Sequence, residues 1–370
     1  MPQTAGFIPG LQLGRMFFEE AGRAIVEDLV SPGSYAAAFA GKGSDVLGFD
    51  TERSMDHDWG PRFQVFLLPG DGFDAARARL DDELRTRLPP VFRGFEVGFT
   101  DPDPEDGGTR MPAHSADGSV AHKVEITTLP AWLEQHLGVE DVSALTLLDW
   151  LTFPEQRLLE VTSGQVFHDP RGELGRVRAA LGEYPRDVWL YRMACQWQRL
   201  SQAEGFIGRC AEAGDAVGMK IVAARVVKDA VKLCFLMERR FAPYDKWLGT
   251  AFRNLSCRPA LAPLLDSALN ARTYAELEPA LVELYRRLGE LHNALGVTGP
   301  MDASPRRFFT RPYVVMRSDR FANALLRVVQ SEDLRRIPVR MGGIDQLVDN
   351  TDFIENPSVY RRTLGLYRPD

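Results

Sequence analysis

The residues best suited to chemistry lie between positions 41 and 62. Gly43-Ser44 is a small-residue turn, Asp56 follows the serine by twelve positions, and Asp58 comes two further on. In an extended Asp56-His57-Asp58 segment both carboxylates project from one face, because side chains alternate along a strand. Neighbouring carboxylates repel each other unless a cation sits between them. Mg²⁺, a hard cation that takes oxygen ligands, meets that need and serves chemistry on phosphates. A Gly-Ser turn nearby offers backbone N–H groups and a hydroxyl to the same phosphates. An acid on a later strand, Glu125, completes a carboxylate triangle as third ligand or general base. His57 should point to the opposite face, as a hydrogen-bonded structural histidine.

These groups need a sheet beneath them. Residues 11–30 carry apolar positions in a helical rhythm, and Tyr35–Ala40 reads as a short helix feeding the Gly-Ser turn. Phe63–Leu68 and Phe92–Phe99 read as strands. Asp101–Gly118, rich in Asp, Pro and Gly, reads as a loop or hairpin insertion. Val120–Thr128 returns to an extended pattern, with Lys123, Glu125 and Thr127 on one face and Val124 and Ile126 on the other. A helix over Ala144–Val161 and a strand at Gln165–His168 follow. Beyond Gly172 strand signals fade, and helical periodicity marks Val188–Arg209, Ala216–Arg240, Tyr274–Leu295 and Arg320–Val329. The expected fold class is α+β: a small mixed sheet with helices over residues 1–171, then an all-helical domain over 172–370.

Composition bounds the rest. A chain of 370 residues with 45% hydrophobic and 26% charged residues has material for two cores. No apolar run approaches the ~20 residues that span a bilayer, and Met1–Gly10 shows no secretory pattern, so no membrane partner and a cytoplasmic location are expected. Cys195, Cys210, Cys234 and Cys257 have neither metal-finger nor disulfide spacing. A net charge of −7 makes a long nucleic acid an unexpected partner. Gly41-Lys42-Gly43-Ser44 lacks the Walker A order, and Gly41-x-Gly43 lacks a third glycine at Rossmann spacing. In the helical part, Pro243-Tyr244 followed by Lys246 places a cation beside an aromatic at a helix start. It is either a phosphate or nucleobase contact or a surface lysine beside a packed Tyr–Trp pair. Arg192, Gln196 and Arg199 share one helical face and read as a solvated one, with a face toward the cleft as the alternative.

The Gly-Ser turn, the Asp-x-Asp and the later strand acid resemble the DNA polymerase β-type nucleotidyltransferase superfamily. The longer run from Gly43 to Asp50 and from Ser54 to Arg62 is similar to the bacterial group called domain of unknown function 4037. So are Phe153-Pro154-Glu155-Gln156, Val166-Phe167-His168-Asp169, Pro243-Tyr244-Asp245-Lys246-Trp247 and Gly343-Ile344-Asp345-Gln346. The resemblance implies a nucleotidyltransferase fold with a helical C-terminal domain. Two departures stand out: Met55 separates Ser54 from Asp56, and Pro61 predicts a bulge or strand break just past the acids.

The mechanism expected on these grounds places an NTP, ATP foremost, with its phosphates against Gly43 and Ser44. Two Mg²⁺ ions are held by Asp56, Asp58 and Glu125. Tyr244 and Lys246 contact the nucleotide, and a small-molecule hydroxyl or amine accepts the NMP group. Carboxylate adenylation and ligation, nucleotidylation of a protein or tRNA, and an inactive nucleotide-binding module are the alternatives.

Overall fold

In Tyr35–Phe39, an alanine-rich segment is a strand and not the expected helix. Alanine favours helices, but that preference is weak beside tertiary context. Here Ala37, Ala38 and Phe39 are completely buried, and both edges of the segment are hydrogen-bonded to neighbours. This strand, β1, pairs antiparallel with β2 (Gln64–Leu67) and with β4 (Gln165–His168). The remaining strand, β3 (Glu125–Thr128), runs parallel to β2. The order across the mixed sheet is β3-β2-β1-β4. The computed structural model describes residues 6–105, 108–114 and 118–368.

The helical rhythm of residues 11–30 resolves into helices Gly10–Phe17 and Arg23–Leu29, joined by a π-helical turn over Phe18–Gly22. The first helix lies close against the sheet. A Cβ on Gly14 would come within 2.6 Å of the Phe39 ring, so only glycine fits that approach. Phe17, Phe18 and Phe63 meet at ring distances of 5.4–5.6 Å and join Val65, Leu80 and Leu84 in the core on this side. Helix Leu129–Leu137 covers the other side through an edge contact between Phe66 and Trp132, 5.4 Å apart.

Three other expectations change in detail. The Phe92–Phe99 strand is a tight hairpin of Val91–Phe92 with Phe95–Glu96, because Arg93 and Gly94 both take positive φ (54° and 88°). The helix over Ala144–Val161 is broken into Asp149–Thr152 and Glu155–Thr162, since Phe153 is extended before Pro154. Only the last four residues of Val120–Thr128 form a strand. The insertion at 101–118 carries isolated bridges such as Asp103 to Thr109, with residues 106–107 and 115–117 outside the described residues.

The chain divides into two units, residues 1–144 with 157–182, and 145–156 with 183–370. The last of the three crossings between units therefore falls after helix Glu173–Leu181, which belongs with the first unit and buries Leu174 and Leu181. Segment 145–156 belongs with the second, where Arg361 Nη2 donates to Asp149 (2.6 Å) and the Tyr367 hydroxyl to the Leu151 carbonyl (3.3 Å). In that unit helices Arg186–Glu212 and Ala216–Met237 form a hairpin, the second capped by Asp215. Arg258–Asn270 and Tyr274–Ala294 form another pair, and Asp319–Val328 packs on Arg186–Glu212. Among the described residues no helix is long and apolar enough to cross a membrane.

Candidate functional site at one end of the sheet

Strand register gathers the sequence motifs at one end of the sheet. Ala38 of β1 pairs with Gln64 of β2, and Gln64 pairs with Glu125 of β3. The exit of β1 into Gly41–Ser44 therefore lies beside the entry of β2, which Asp56–Arg62 approaches, and beside Glu125 at the start of β3. Ala40 N–H donates to the Gln64 side chain (2.9 Å), and Gly41 N–H to the Glu160 carbonyl (2.9 Å), fixing the exit.

The connection itself is held by charge. Arg62 forms a buried ion pair with Asp45, donating through Nη1 and also through Nη2 (2.9 Å), while Nη2 reaches the Lys42 carbonyl (3.1 Å). Its guanidinium lies 4.5 Å from the centre of the Phe39 ring. Burial works against this charge, but the Asp45 carboxylate outweighs it and holds Arg62 above the ordinary arginine range. A second tether is Asp50, whose carboxylate accepts from Gly10 N–H (2.7 Å) and Trp59 Nε1 (3.0 Å). Gly43, with φ of +132°, lies beside the first pair. A Cβ there would sit 2.2 Å from Asp45 Oδ1 and 2.8 Å from Arg62 Nη2.

The acids are placed differently from expectation. Asp56 ends a 3₁₀ turn over Glu52–Asp56, its side chain 64% exposed, and pairs with the exposed His57 ring at 3.1 Å. His57 is thus a surface residue, not a structural one. Asp58 has φ of 53°, which breaks the alternation that would aim both carboxylates from one face. Its N–H donates to the Arg110 carbonyl (2.9 Å), and its carboxylate pairs with Lys123 Nζ, which also donates to the Asp58 carbonyl (3.3 Å). Burial pulls the Lys123 ammonium below the ordinary lysine range, although Asp58 works the other way.

Glu125 points toward a different set of groups. Burial raises its carboxyl above the usual range, opposed by His136, by a hydrogen bond with Gln64 and by Arg62. His136, buried one helix away, lies 3.7 Å from Glu160, which pairs with Arg157. Among the described residues no three His, Cys, Asp or Glu side chains are placed to hold a metal ion together. Asp56, Asp58 and Glu125 do not form the expected triangle, and with Lys123 seated on Asp58 they do not fit a shared Mg²⁺.

In the second unit, Tyr244 immediately precedes helix Asp245–Phe252 and donates its N–H to the Gln156 side chain (3.3 Å). It lines a small cavity of about 60 Å³ with Glu155, Lys232 and Asp345. Lys246 is exposed, its Nζ 5.3 Å from the centre of the Trp247 ring. Arg192 and Gln196 are buried, contrary to a solvated face. Arg192 Nη2 donates to Glu155 (3.1 Å) and Asp345 (3.3 Å), and Gln196 to the carbonyl and carboxylate of Asp229 (2.9 and 3.1 Å). Periodicity alone could not distinguish this interior polar seam from a wet surface, because its charges are matched by acids distant in sequence.

A family model described as a domain of unknown function, DUF4037, matches residues 150–248. That stretch contains Phe153–Gln156, Val166–Asp169 and Pro243–Trp247, and leaves Gly43–Arg62 and Gly343–Gln346 outside it. No curated protein matches the chain. Among solved structures, a nucleotidyltransferase-like protein from Exiguobacterium sibiricum is similar at 14% identity and a TM-score of 0.34. The similarity covers 84% of this chain and 89% of that one.

Proposed function

We propose that the chain is a nucleotidyltransferase that moves an NMP group from an NTP, ATP foremost, to a hydroxyl or amine of a small molecule. The supporting observation is the shared sheet end: the Gly43-Ser44 turn, the Asp56–Arg62 approach and Glu125 meet where β1 leaves and β2 and β3 begin. In this reaction the acceptor attacks the α-phosphorus, and the bond from that phosphorus to the bridging oxygen breaks. Pyrophosphate leaves with the electron pair. The Gly-Ser turn is the phosphate cradle. Glu125 is the acid best suited to take the acceptor's proton, since burial raises its affinity for one. A Mg²⁺ shared by Asp56, Asp58 and Glu125 would require Asp58 to leave Lys123.

That ion pair also favours a second reading, a module that binds nucleotide without turning it over, with an ammonium where a catalytic cation would sit. One experiment separates the two. The protein is incubated with each NTP, Mg²⁺ and a metabolite extract, and nucleotide adducts are followed by mass spectrometry. Adducts that vanish in Asp58→Asn support transfer. Saturable NTP binding without adducts supports the module, AMP together with a new amide indicates ligation, and absence of both binding and turnover refutes the proposal.

A further inference from the structure

The opposite end of the same sheet, where β1 begins and β2 and β3 finish, opens into a cavity of about 800 Å³ lying wholly within the first unit. Protein interiors rarely leave voids larger than a water molecule, whereas pockets for small ligands run from roughly 300 to 1,000 Å³. Its floor is apolar, built from Tyr35, Phe66, Leu67, Leu133, Leu174 and Val177, and Leu68 at its edge is 37% exposed. The motifs at the other end of the sheet contribute nothing to it.

The charged lining is lopsided. Glu140, Asp141, Asp169 and Glu173 stand against Arg171 and Arg176. Most of these are already engaged. Asp141 accepts from Ser143 N–H and Oγ (both 2.8 Å), and Asp169 accepts from Glu173 and Gly175 N–H (3.0 and 2.8 Å). Arg171 donates to Glu173 (2.8 Å), and Arg176 to the Arg171 carbonyl (2.9 Å). Among the described residues no hydrogen bond or ion pair engages the exposed Glu140. An apolar chamber lined by four carboxylates against two guanidinium groups, with Glu140 meeting no donor among the described residues, suits a ligand with an apolar body and one cationic head.

We infer that this cavity is a second ligand site, distinct from the nucleotidyl-transfer end, and that it takes an arylalkyl amine, with the ring on the Phe66–Leu133–Val177 floor and the ammonium toward Glu140. The test uses the full chain and two matched probes, 1-naphthalenemethylamine and 1-naphthaleneacetate, titrated by calorimetry. The amine should bind one to one, at least about tenfold tighter than the acid. Ala180→Trp, at an exposed lining position on helix Glu173–Leu181, should abolish amine binding while leaving the thermal unfolding curve in place. Glu140→Lys should erase the preference for the amine. Failure of both probes to saturate, equal affinity for the two, or amine binding unchanged in Ala180→Trp would each overturn the inference.

Discussion

Replacing Arg62 by methionine tests whether a buried charge pair shapes the candidate site. The side chains of Arg62 and Asp45 are 6% and 3% exposed, so little solvent screening moderates their interaction. Methionine keeps an apolar body against Phe39 but removes both guanidinium donors to Asp45, leaving the Val46 N–H (3.0 Å) as the donor to that carboxylate among the described residues. Breaking a buried pair by deleting one partner costs about 3–5 kcal/mol, because the other charge is stranded. The double variant Asp45→Asn/Arg62→Met has no stranded charge and should recover a large part of that loss. Since the chain has two units, an unfolding midpoint alone does not say which unit has been weakened. Amide exchange of peptides from β1 and β2 reports the first unit directly. A loss of about 3 kcal/mol speeds exchange there by about a hundredfold. Exchange within about twofold of the parent in Arg62→Met, or a double variant no slower than the single one, would refute the reasoning.

Gly43→Val should cost both stability and nucleotide affinity, because its Cβ would collide with Asp45 and Arg62 at a φ of +132°. An effect on affinity alone, by calorimetry and thermal unfolding, would show that the pair can move aside. Asp56→Asn should leave the melting curve unchanged, since that side chain is 64% exposed and serves no core contact; loss of adducts in mass spectrometry would show that Mg²⁺ draws Asp56 into the site once Asp58 leaves Lys123, and undiminished turnover would remove Asp56 from it. His292 supplies a pH test in the second unit. Burial depresses its pKa to about 4, and Trp197 Nε1 donates to its Nδ1 (3.2 Å), so the ring is held neutral with Nε2–H facing Thr298 Oγ1 (3.0 Å). The stability this contributes, on the order of 3 kcal/mol, is full above the unfolded pKa of about 6.5 and is lost as pH falls toward 4. His292→Asn should flatten that slope in denaturant titrations across this range, and an equally steep slope in the variant would count against it.

Much of the helical half was legible because long amphipathic segments state their period clearly. The observed bounds Arg186–Glu212, Ala216–Met237, Tyr274–Ala294 and Asp319–Val328 lie within three residues of those read from the sequence. Short strands carry less information. Tyr35–Phe39 has the composition of a helix and becomes a strand only because two neighbours pair with it and all its residues but Ala36 are buried. The same limit hid the Arg192–Glu155–Asp345 cluster. Residues at i and i+4 share a face in any helix, and only the partners from positions 155 and 345 decide whether that face is wet.

At the candidate site, Met55 and Pro61 are where local physics is most visible. Met55, the residue that lengthens the spacing between Ser54 and Asp56, packs against the hydrophobic core from within the 3₁₀ turn. The turn is secured at its start by a reciprocal pair between Thr51 and Ser54. An apolar anchor placed there fixes the turn but ends extended geometry before Asp56. Asp58 then takes a left-handed conformation, and Gly60-Pro61 keeps β2 from beginning until Gln64. Pairing two carboxylates on one face needs an uninterrupted strand through both. The sequence places a core anchor on one side of them and a strand breaker on the other, so Asp58 is left to meet Lys123.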